Sequence, residues 1–214
     1  GVDLRVDEWG IDICYSATQK CVGSPPGLSP ITLSPRAVEV LRQRQTPVQS
    51  FYLDLLQLER YWLTARTYHH TVSMSNIYAL REALIIAMEE GLEARYERHQ
   101  RNADALKAGL ATLGMQPLAE KGSQANPLTA ALVPNGIDEA RVRRSLLEEY
   151  GIEIGGGFGP LAGKIWRIGL MGESSKASHV LTLLHALEAL LLREGCEISP
   201  GSSMAAAHQV LSAK

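Results

Sequence analysis

Lys20 is the side chain whose surroundings best suit covalent chemistry. It follows a predicted strand and the small polar run Ser16-Ala-Thr-Gln19, and it precedes Gly23 and the turn Pro25-Pro-Gly27. A lysine on such a braced loop can be aimed at a cleft, and a Schiff-base lysine needs an amine that is neutral part of the time. The alternative is a solvated surface lysine, which spacing alone favours because most lysines are exposed.

Arg167 is the second candidate, because it lies among apolar residues in a predicted strand at residues 164–168. A buried charge requires a partner. The partner is either a bound carboxylate, which arginine can hold through two parallel hydrogen bonds, or an internal glutamate. The sequence does not separate these two readings.

A third group, Tyr68, His69, His70 and Thr71, places hydroxyls and imidazoles on a predicted loop before a helix. Hydroxyls and backbone N–H groups near a helix N-terminus suit a phosphate. The histidines have no His/Cys/Asp cluster to complete a metal site, so we expect no metal. The alternative is a packed loop with satisfied side chains.

The run Gly155-Gly-Gly-Phe-Gly-Pro160 is rich in glycine without being a nucleotide loop. It lacks the Gly-Lys-Ser/Thr ending of a P-loop, and a strand follows it where a P-loop is followed by a helix. We therefore interpret it as a wide turn between two strands.

The elements that must position these residues form two units. In the first, periodicity and caps predict strands at 11–15 and 31–33, a loop at 16–30, and helices at 35–44, 54–62 and from Ser75 onwards. A unit boundary is expected near Glu90–Gly91.

In the second unit, strands and helices alternate. Helices are predicted at 93–113, 137–150 and 175–193, and strands at 128–133, 151–154 and 164–168. This is an α+β layer of strands covered by helices. Residues 199–214 are rich in serine and alanine, which predicts a flexible tail.

The composition excludes several classes of protein. The 214 residues carry a net charge of −2, which argues against binding to nucleic-acid phosphates. The longest apolar run, residues 181–192, is broken by His185 and Glu188, so no membrane span is predicted. The three cysteines cannot all pair, which favours a reducing compartment such as the cytoplasm.

Three of these segments together resemble one family, the class V pyridoxal-phosphate aminotransferases of the alanine–glyoxylate and serine–pyruvate group. Residues 12–27 resemble its lysine segment, Tyr68-His-His-Thr71 its Tyr-His-His-Thr loop, and residues 155–172 its C-terminal arginine motif. The resemblance runs in order from about residue 10 to residue 193 and leaves out residues 199–214.

The resemblance implies an α/β chain with the type I, aspartate aminotransferase-like fold. Residues 1–90 would be the C-terminal part of the large cofactor-binding domain and residues 91–198 the small α+β domain. The family's pyridine-nitrogen acid, phosphate turn and ring-stacking aromatic lie upstream of the matched segments. Because the chain also begins with Gly1, we expect it to be a piece of a longer protein.

The resemblance also implies roles for single residues. Lys20 would form the internal aldimine with pyridoxal 5′-phosphate, and Gln19 would lie at the cofactor's phosphate region. Tyr68 and Thr71 would reach the phosphate of the other subunit's cofactor, which implies a homodimer that shares its active sites. Arg167 would hold the α-carboxylate of the substrate.

The implied reaction is ping-pong transamination between alanine or serine and glyoxylate or pyruvate. The alternatives are another class V enzyme, such as a ureidoglycine–glyoxylate aminotransferase or a cysteine desulfurase, and a non-catalytic fragment that serves in dimerisation. A desulfurase is disfavoured because no reactive-loop pattern surrounds Cys196.

Overall fold

The structure, a computed structural model, describes residues 1–213. The chain separates into two compact units. One unit is Leu4–Ile86, and the other consists of Gly1–Asp3 with the residues from Ala87 onwards. No helix within residues 1–213 is both long and apolar enough to cross a bilayer.

The unit Leu4–Ile86 consists of short elements joined by long loops. In order, these are β1 (Ile13–Tyr15), β2 (Ile31–Leu33), α1 (Pro35–Arg42), α2 (Leu55–Trp62) and the larger part of α3 (Met74–Glu90). Strands β1 and β2 pair antiparallel, with Cys14 opposite Thr32. These bounds confirm the predicted elements to within a few residues.

Side-chain caps explain where the first two helices begin. The Ser34 hydroxyl accepts a hydrogen bond from the Ala37 N–H at 3.1 Å, and Pro35 occupies the first turn of α1. The Asp54 carboxylate accepts from the Leu56 N–H at 3.0 Å and so caps α2. Both caps satisfy N–H groups that a helix N-terminus otherwise leaves without an acceptor.

Few apolar side chains are buried in Leu4–Ile86. Among its residues, all of which the structure describes, only Ala37 and Ala83 are buried and apolar. Large side chains stay exposed instead, Tyr15, Phe51 and Leu63 among them. The loops of this unit are therefore held mainly by hydrogen bonds and ring contacts.

The second unit has a conventional core. Its elements are α4 (Leu92–Thr112), β3 (Leu128–Leu132), α5 (Glu139–Tyr150), β4 (Gly155–Gly156), β5 (Ile165–Gly169), α6 (Ala177–Arg193) and α7 (Ser202–Ser212). The sheet has the order β3-β5-β4 and is antiparallel throughout. Trp166 and Ile168 of β5 pack into the helices, with apolar residues such as Leu106, Leu146 and Leu187.

The strand predicted at residues 151–154 is wrong. Gly151 has a φ of +66° and ends α5 in the left-handed conformation, which leaves too little chain for a strand before Gly155. The pairing with β5 falls one step later, where Gly155 lies opposite Arg167 and Gly156 opposite Trp166.

The flexible segment predicted at residues 199–214 also differs from the structure, because Ser202–Ser212 form the helix α7. The carboxylate of Glu188 on α6 accepts hydrogen bonds from the Gly201 and Ser203 N–H groups and from the Ser203 hydroxyl. Ala207 is fully buried. A cap supplied by another helix and small buried residues therefore fix a segment that composition describes as flexible.

Candidate functional site

Lys20 lies in a tight turn that follows β1. The Lys20 N–H donates to the Ala17 carbonyl at 3.1 Å, and the Gly23 N–H donates to the Lys20 carbonyl at 2.9 Å. Thr18 is fully buried, and its hydroxyl donates to the Pro25 carbonyl at 2.8 Å. The backbone of the turn is thus fixed from both sides.

The side chains of Gln19 and Lys20 are exposed at the top of this turn. Within residues 1–213, the Lys20 amine has no ion pair and no hydrogen bond. The structure therefore presents an available primary amine on a rigid support.

The turn is also tied to α3 through Gly27. Gly27 has a φ of +130°, and a Cβ atom there would lie 2.4 Å from Nδ2 of Asn76. Nδ2 of Asn76 donates to the Pro26 carbonyl at 3.4 Å. The positive φ is what requires glycine here, and the hydrogen bond from Asn76 joins the loop to the start of α3.

Tyr68 and Thr71 are brought together on the loop before α3. The Tyr68 hydroxyl and the Thr71 Oγ1 are 2.8 Å apart, and the Tyr68 side chain is 71% exposed. No hydrogen bond within residues 1–213 joins either side chain to Lys20. A pair of exposed hydroxyls of this kind can donate to the oxygens of an anion.

His69 holds this loop in place. Its ring stacks on Phe51 with centroids 4.3 Å apart, and Nε2 lies 3.1 Å from the Phe51 carbonyl. Nε2 must carry a proton for that bond, and Nδ1 of His69 lies 2.9 Å from Nδ1 of His70. The sequence left two roles open for the imidazoles, a phosphate contact and packing. His69 is buried and packs beneath the loop.

A cavity of about 860 Å³ adjoins the loop within Leu4–Ile86. His70 and Thr71 line it together with Tyr15, Tyr52 and Trp62, whereas Gln19 and Lys20 do not. Its volume and its largely apolar wall are those of small-molecule sites.

Arg167 lies on β5 in the other unit, opposite Gly155 of β4 and Ala130 of β3. Its Nε donates to the Gly156 carbonyl at 2.7 Å. The guanidinium carbon is 4.1 Å from the centroid of the Phe158 ring. Within residues 1–213, Nη1 and Nη2 have no acceptor, and Arg167 has no carboxylate partner.

The sequence left open whether an internal glutamate pairs with Arg167. No glutamate within residues 1–213 does so. Nε is bonded to the Gly156 carbonyl and the guanidinium carbon lies over the Phe158 ring. Within the described residues, the two terminal nitrogens have no hydrogen-bond acceptor. Those are the atoms that grip a carboxylate in two parallel hydrogen bonds.

His99 is a support that the sequence analysis missed. It is fully buried on α4, its Nε2 accepts from the Gly172 N–H at 3.0 Å, and its Nδ1–H donates to the Arg95 carbonyl at 2.7 Å. Burial lowers the pKa of His99, which keeps it neutral and able to accept. The turn that follows β5 is thereby fastened to α4, a contact that no local sequence pattern signals.

Known proteins resemble this chain over nearly its whole length. The (S)-ureidoglycine–glyoxylate transaminase of Bacillus subtilis (strain 168) is 41% identical over 98% of this chain and 55% of its own length. The alanine–glyoxylate aminotransferase of Drosophila melanogaster is 37% identical over 87% of this chain and 48% of its own. The chain therefore spans about half the length of these relatives.

The fold comparison agrees. The crystal structure of the ureidoglycine–glyoxylate aminotransferase from Bacillus subtilis matches with a TM-score of 0.95 and 44% identity. The match covers 100% of this chain and 55% of the aminotransferase chain. This confirms the expected fold class, part of the pyridoxal-phosphate aminotransferase fold. A family model for class-V aminotransferases matches residues 2–163. The chain therefore belongs to the class V aminotransferase family, whose cofactor is pyridoxal 5′-phosphate.

Proposed function

We propose that this chain takes part in the transfer of an amino group from alanine or serine to glyoxylate or pyruvate. The observation that carries the proposal is Lys20, whose amine has no partner within residues 1–213 and which lies on a hydrogen-bonded turn, in a chain of the class V aminotransferase family. Lysine is the side chain that condenses with the aldehyde of pyridoxal phosphate.

The donor set of Leu4–Ile86 fits that cofactor. The Lys20 amine suits the aldehyde, and the hydroxyls of Tyr68 and Thr71, 2.8 Å apart, suit the oxygens of a phosphate. Gln19 adds an exposed amide beside Lys20. When bound, pyridoxal phosphate supplies an electron sink that draws electrons from the substrate Cα.

In this proposal Arg167 binds the substrate through its α-carboxylate. Nη1 and Nη2 donate two parallel hydrogen bonds, while the bond from Nε to the Gly156 carbonyl anchors one edge of the guanidinium. Two fixed points, the carboxylate and the amino nitrogen, orient the Cα–H bond. The Lys20 amine would serve as the base that takes up and returns the proton of the substrate Cα.

The two half-reactions share these residues. The first releases an oxo acid, and the second binds another oxo acid, whose carboxylate Arg167 also holds, so the kinetics are ping-pong. Tyr68 and Thr71, which have no bond to Lys20, would serve the cofactor of a second subunit in a homodimer. Three cysteines cannot all pair with one another, which suits a reducing compartment, and we place the activity in the cytoplasm.

A second candidate donor is (S)-ureidoglycine, with glyoxylate as acceptor. It is favoured by the Bacillus subtilis relative, which carries that name, matches at 41% identity and has a structure that superimposes with a TM-score of 0.95. The same lysine and arginine would serve either donor.

Two further alternatives have less support. A cysteine desulfurase needs a thiolate, whereas burial raises the pKa of Cys196. A non-catalytic dimerisation subunit would have no use for the unpaired Lys20 amine.

The test is a substrate panel with the purified protein and added pyridoxal phosphate. Alanine, serine, (S)-ureidoglycine and cysteine are each paired with glyoxylate and with pyruvate, and the amino and oxo acids formed are measured. We expect turnover with at least one of the first three donors and none in Lys20→Ala. Turnover retained in Lys20→Ala would contradict the assignment.

A further inference from the structure

Phe158 is a large apolar side chain that stays at the surface while its ring lies on a cation. Its side chain is 72% exposed, yet the ring centroid is 4.1 Å from the guanidinium carbon of Arg167. A cation above an aromatic face is attracted by the negative electrostatic potential of that face. The Phe158 ring therefore contacts Arg167 although most of its surface is open to solvent.

The backbone on both sides of Phe158 holds the ring where it is. The Leu161 N–H donates to the Phe158 carbonyl at 3.0 Å. At Gly157, a Cβ atom would lie 2.0 Å from the Leu161 carbonyl oxygen, so the chain folds back as tightly as glycine permits. Phe158 therefore projects from a constrained turn.

The contacts of Arg167 divide the guanidinium into a held part and an available part. Nε donates a hydrogen bond to the Gly156 carbonyl at 2.7 Å, and the guanidinium carbon lies over the Phe158 ring, 4.1 Å from its centroid. The hydrogen bond at Nε alone would still let the guanidinium rotate about the N–H···O axis, and the Phe158 ring against the guanidinium carbon restricts that rotation. The two nitrogens that face a carboxylate are then presented in one orientation.

We propose that Phe158 is a positioning residue for carboxylate recognition by Arg167. Its ring fixes the plane of the guanidinium and keeps water from one face of the ion pair with the substrate. The inference rests on the proposed role of Arg167 as the carboxylate-binding residue.

The kinetic test compares Phe158→Ala and Phe158→Tyr in the cofactor-loaded enzyme. Phe158→Ala should raise the KM of the amino donor by about threefold to tenfold and change kcat by less than about twofold, the range of a lost cation–π contact. Phe158→Tyr keeps an aromatic face and should have a KM near that of the unsubstituted protein. Leu147→Ala, which removes a half-exposed apolar side chain from α5, is the control.

A second readout does not depend on turnover. Propionate, a carboxylate without an amino group, is titrated while the Nε–H resonance of Arg167 is followed by NMR, with Arg167→Lys used to assign the signal. Phe158→Ala should remove the ring-current shift of this resonance and raise the Kd of propionate by a factor like that for KM. Phe158→Tyr should restore both.

The outcomes separate the two proposals. If Arg167→Lys leaves KM unchanged, the role of Arg167 fails and the inference with it. If Arg167→Lys raises KM while Phe158→Ala leaves KM and the propionate Kd unchanged, only the positioning role of Phe158 is overturned.

Discussion

The carbonyl oxygen of Gly156 accepts a hydrogen bond from Nε of Arg167 at 2.7 Å. Through this bond, the glycine-rich run beside β5 holds the Arg167 side chain. A Cβ atom on Gly155 would lie 3.0 Å from Nη2 of Arg167, so the glycines leave room for the guanidinium. The predicted wide turn is corrected in part, because Gly155–Gly156 form the strand β4 that lies against the Arg167 side chain, and only the residues after Gly156 turn back towards β5.

Gly155→Ala should disturb Arg167 without unfolding the protein. The added methyl group would lie 3.0 Å from Nη2 and 3.3 Å from Cζ, so the flexible side chain must give way. We expect KM for the amino donor to rise several-fold and Tm to change by a few degrees at most. Gly169→Ala on β5, where no atom lies within 4 Å of the new Cβ, is the control. Equal KM values for the two variants would contradict this account of the glycine run.

Arg167→Lys should weaken substrate binding more than it slows the chemical step. Lysine keeps the charge but loses the planar pair of donors and the bond to Gly156. Hydrogen bonds to charged groups contribute about 1.5–3 kcal/mol, so KM should rise about tenfold or more. Steady-state kinetics with Arg144→Lys, an exposed arginine on α5, as control would measure this. An unchanged KM would remove Arg167 from the site.

His69→Ala should lower the affinity for pyridoxal phosphate although His69 is buried beneath the loop. The substitution removes both the ring stacked on Phe51 and the bond to the Phe51 carbonyl, which hold Tyr68 and Thr71 in place. We expect the cofactor Kd, measured by absorbance titration, to rise about tenfold, which corresponds to the loss of roughly one hydrogen bond. His208→Ala, on the exposed side of α7, should leave it unchanged. A Kd equal to the control's would show that the loop does not contact the cofactor.

Glu188 should make the stability of α7 depend on pH. Burial raises the pKa of Glu188, but hydrogen bonds from Ser203 and Gly201 lower it by more, so it lies below the ordinary 4.5. A lowered folded-state pKa contributes stability that is present above pH 4.5 and is lost as pH falls through the folded value. Glu188→Gln should therefore cost about 1–3 kcal/mol at pH 7 and progressively less below pH 4.5. Urea unfolding at several pH values measures this, and a difference that is constant with pH would contradict it.

Local sequence signals predicted some parts of this molecule and could not predict others. Ser34 and Asp54 mark the starts of α1 and α2, because each cap accepts a hydrogen bond from an N–H group within the next three residues. The cap of α7 comes from Glu188 on another helix, and the support of the Tyr68 loop comes from Phe51, so neither leaves a local pattern. Such long-range contacts are formed only by the folded chain.

The candidate site follows the same division. The residue types at Lys20 and Arg167 left their roles open, whereas the ordered motifs indicated the family and, through it, the roles proposed here. The absence of a glutamate partner for Arg167 within residues 1–213 could be seen only in the structure, where the partner of Nε is a backbone carbonyl. Backbone acceptors are present at every residue and carry no sequence signal.

The most direct test of the central claim is to find the lysine that bonds to the cofactor. The purified protein is incubated with pyridoxal phosphate, reduced with borohydride and digested, and the modified peptide is identified by mass spectrometry, with Lys20→Ala as the control. We predict a reduced cofactor adduct on Nζ of Lys20 and none at that site in the variant. An adduct on a different lysine, or no adduct at all, would contradict the assignment of Lys20.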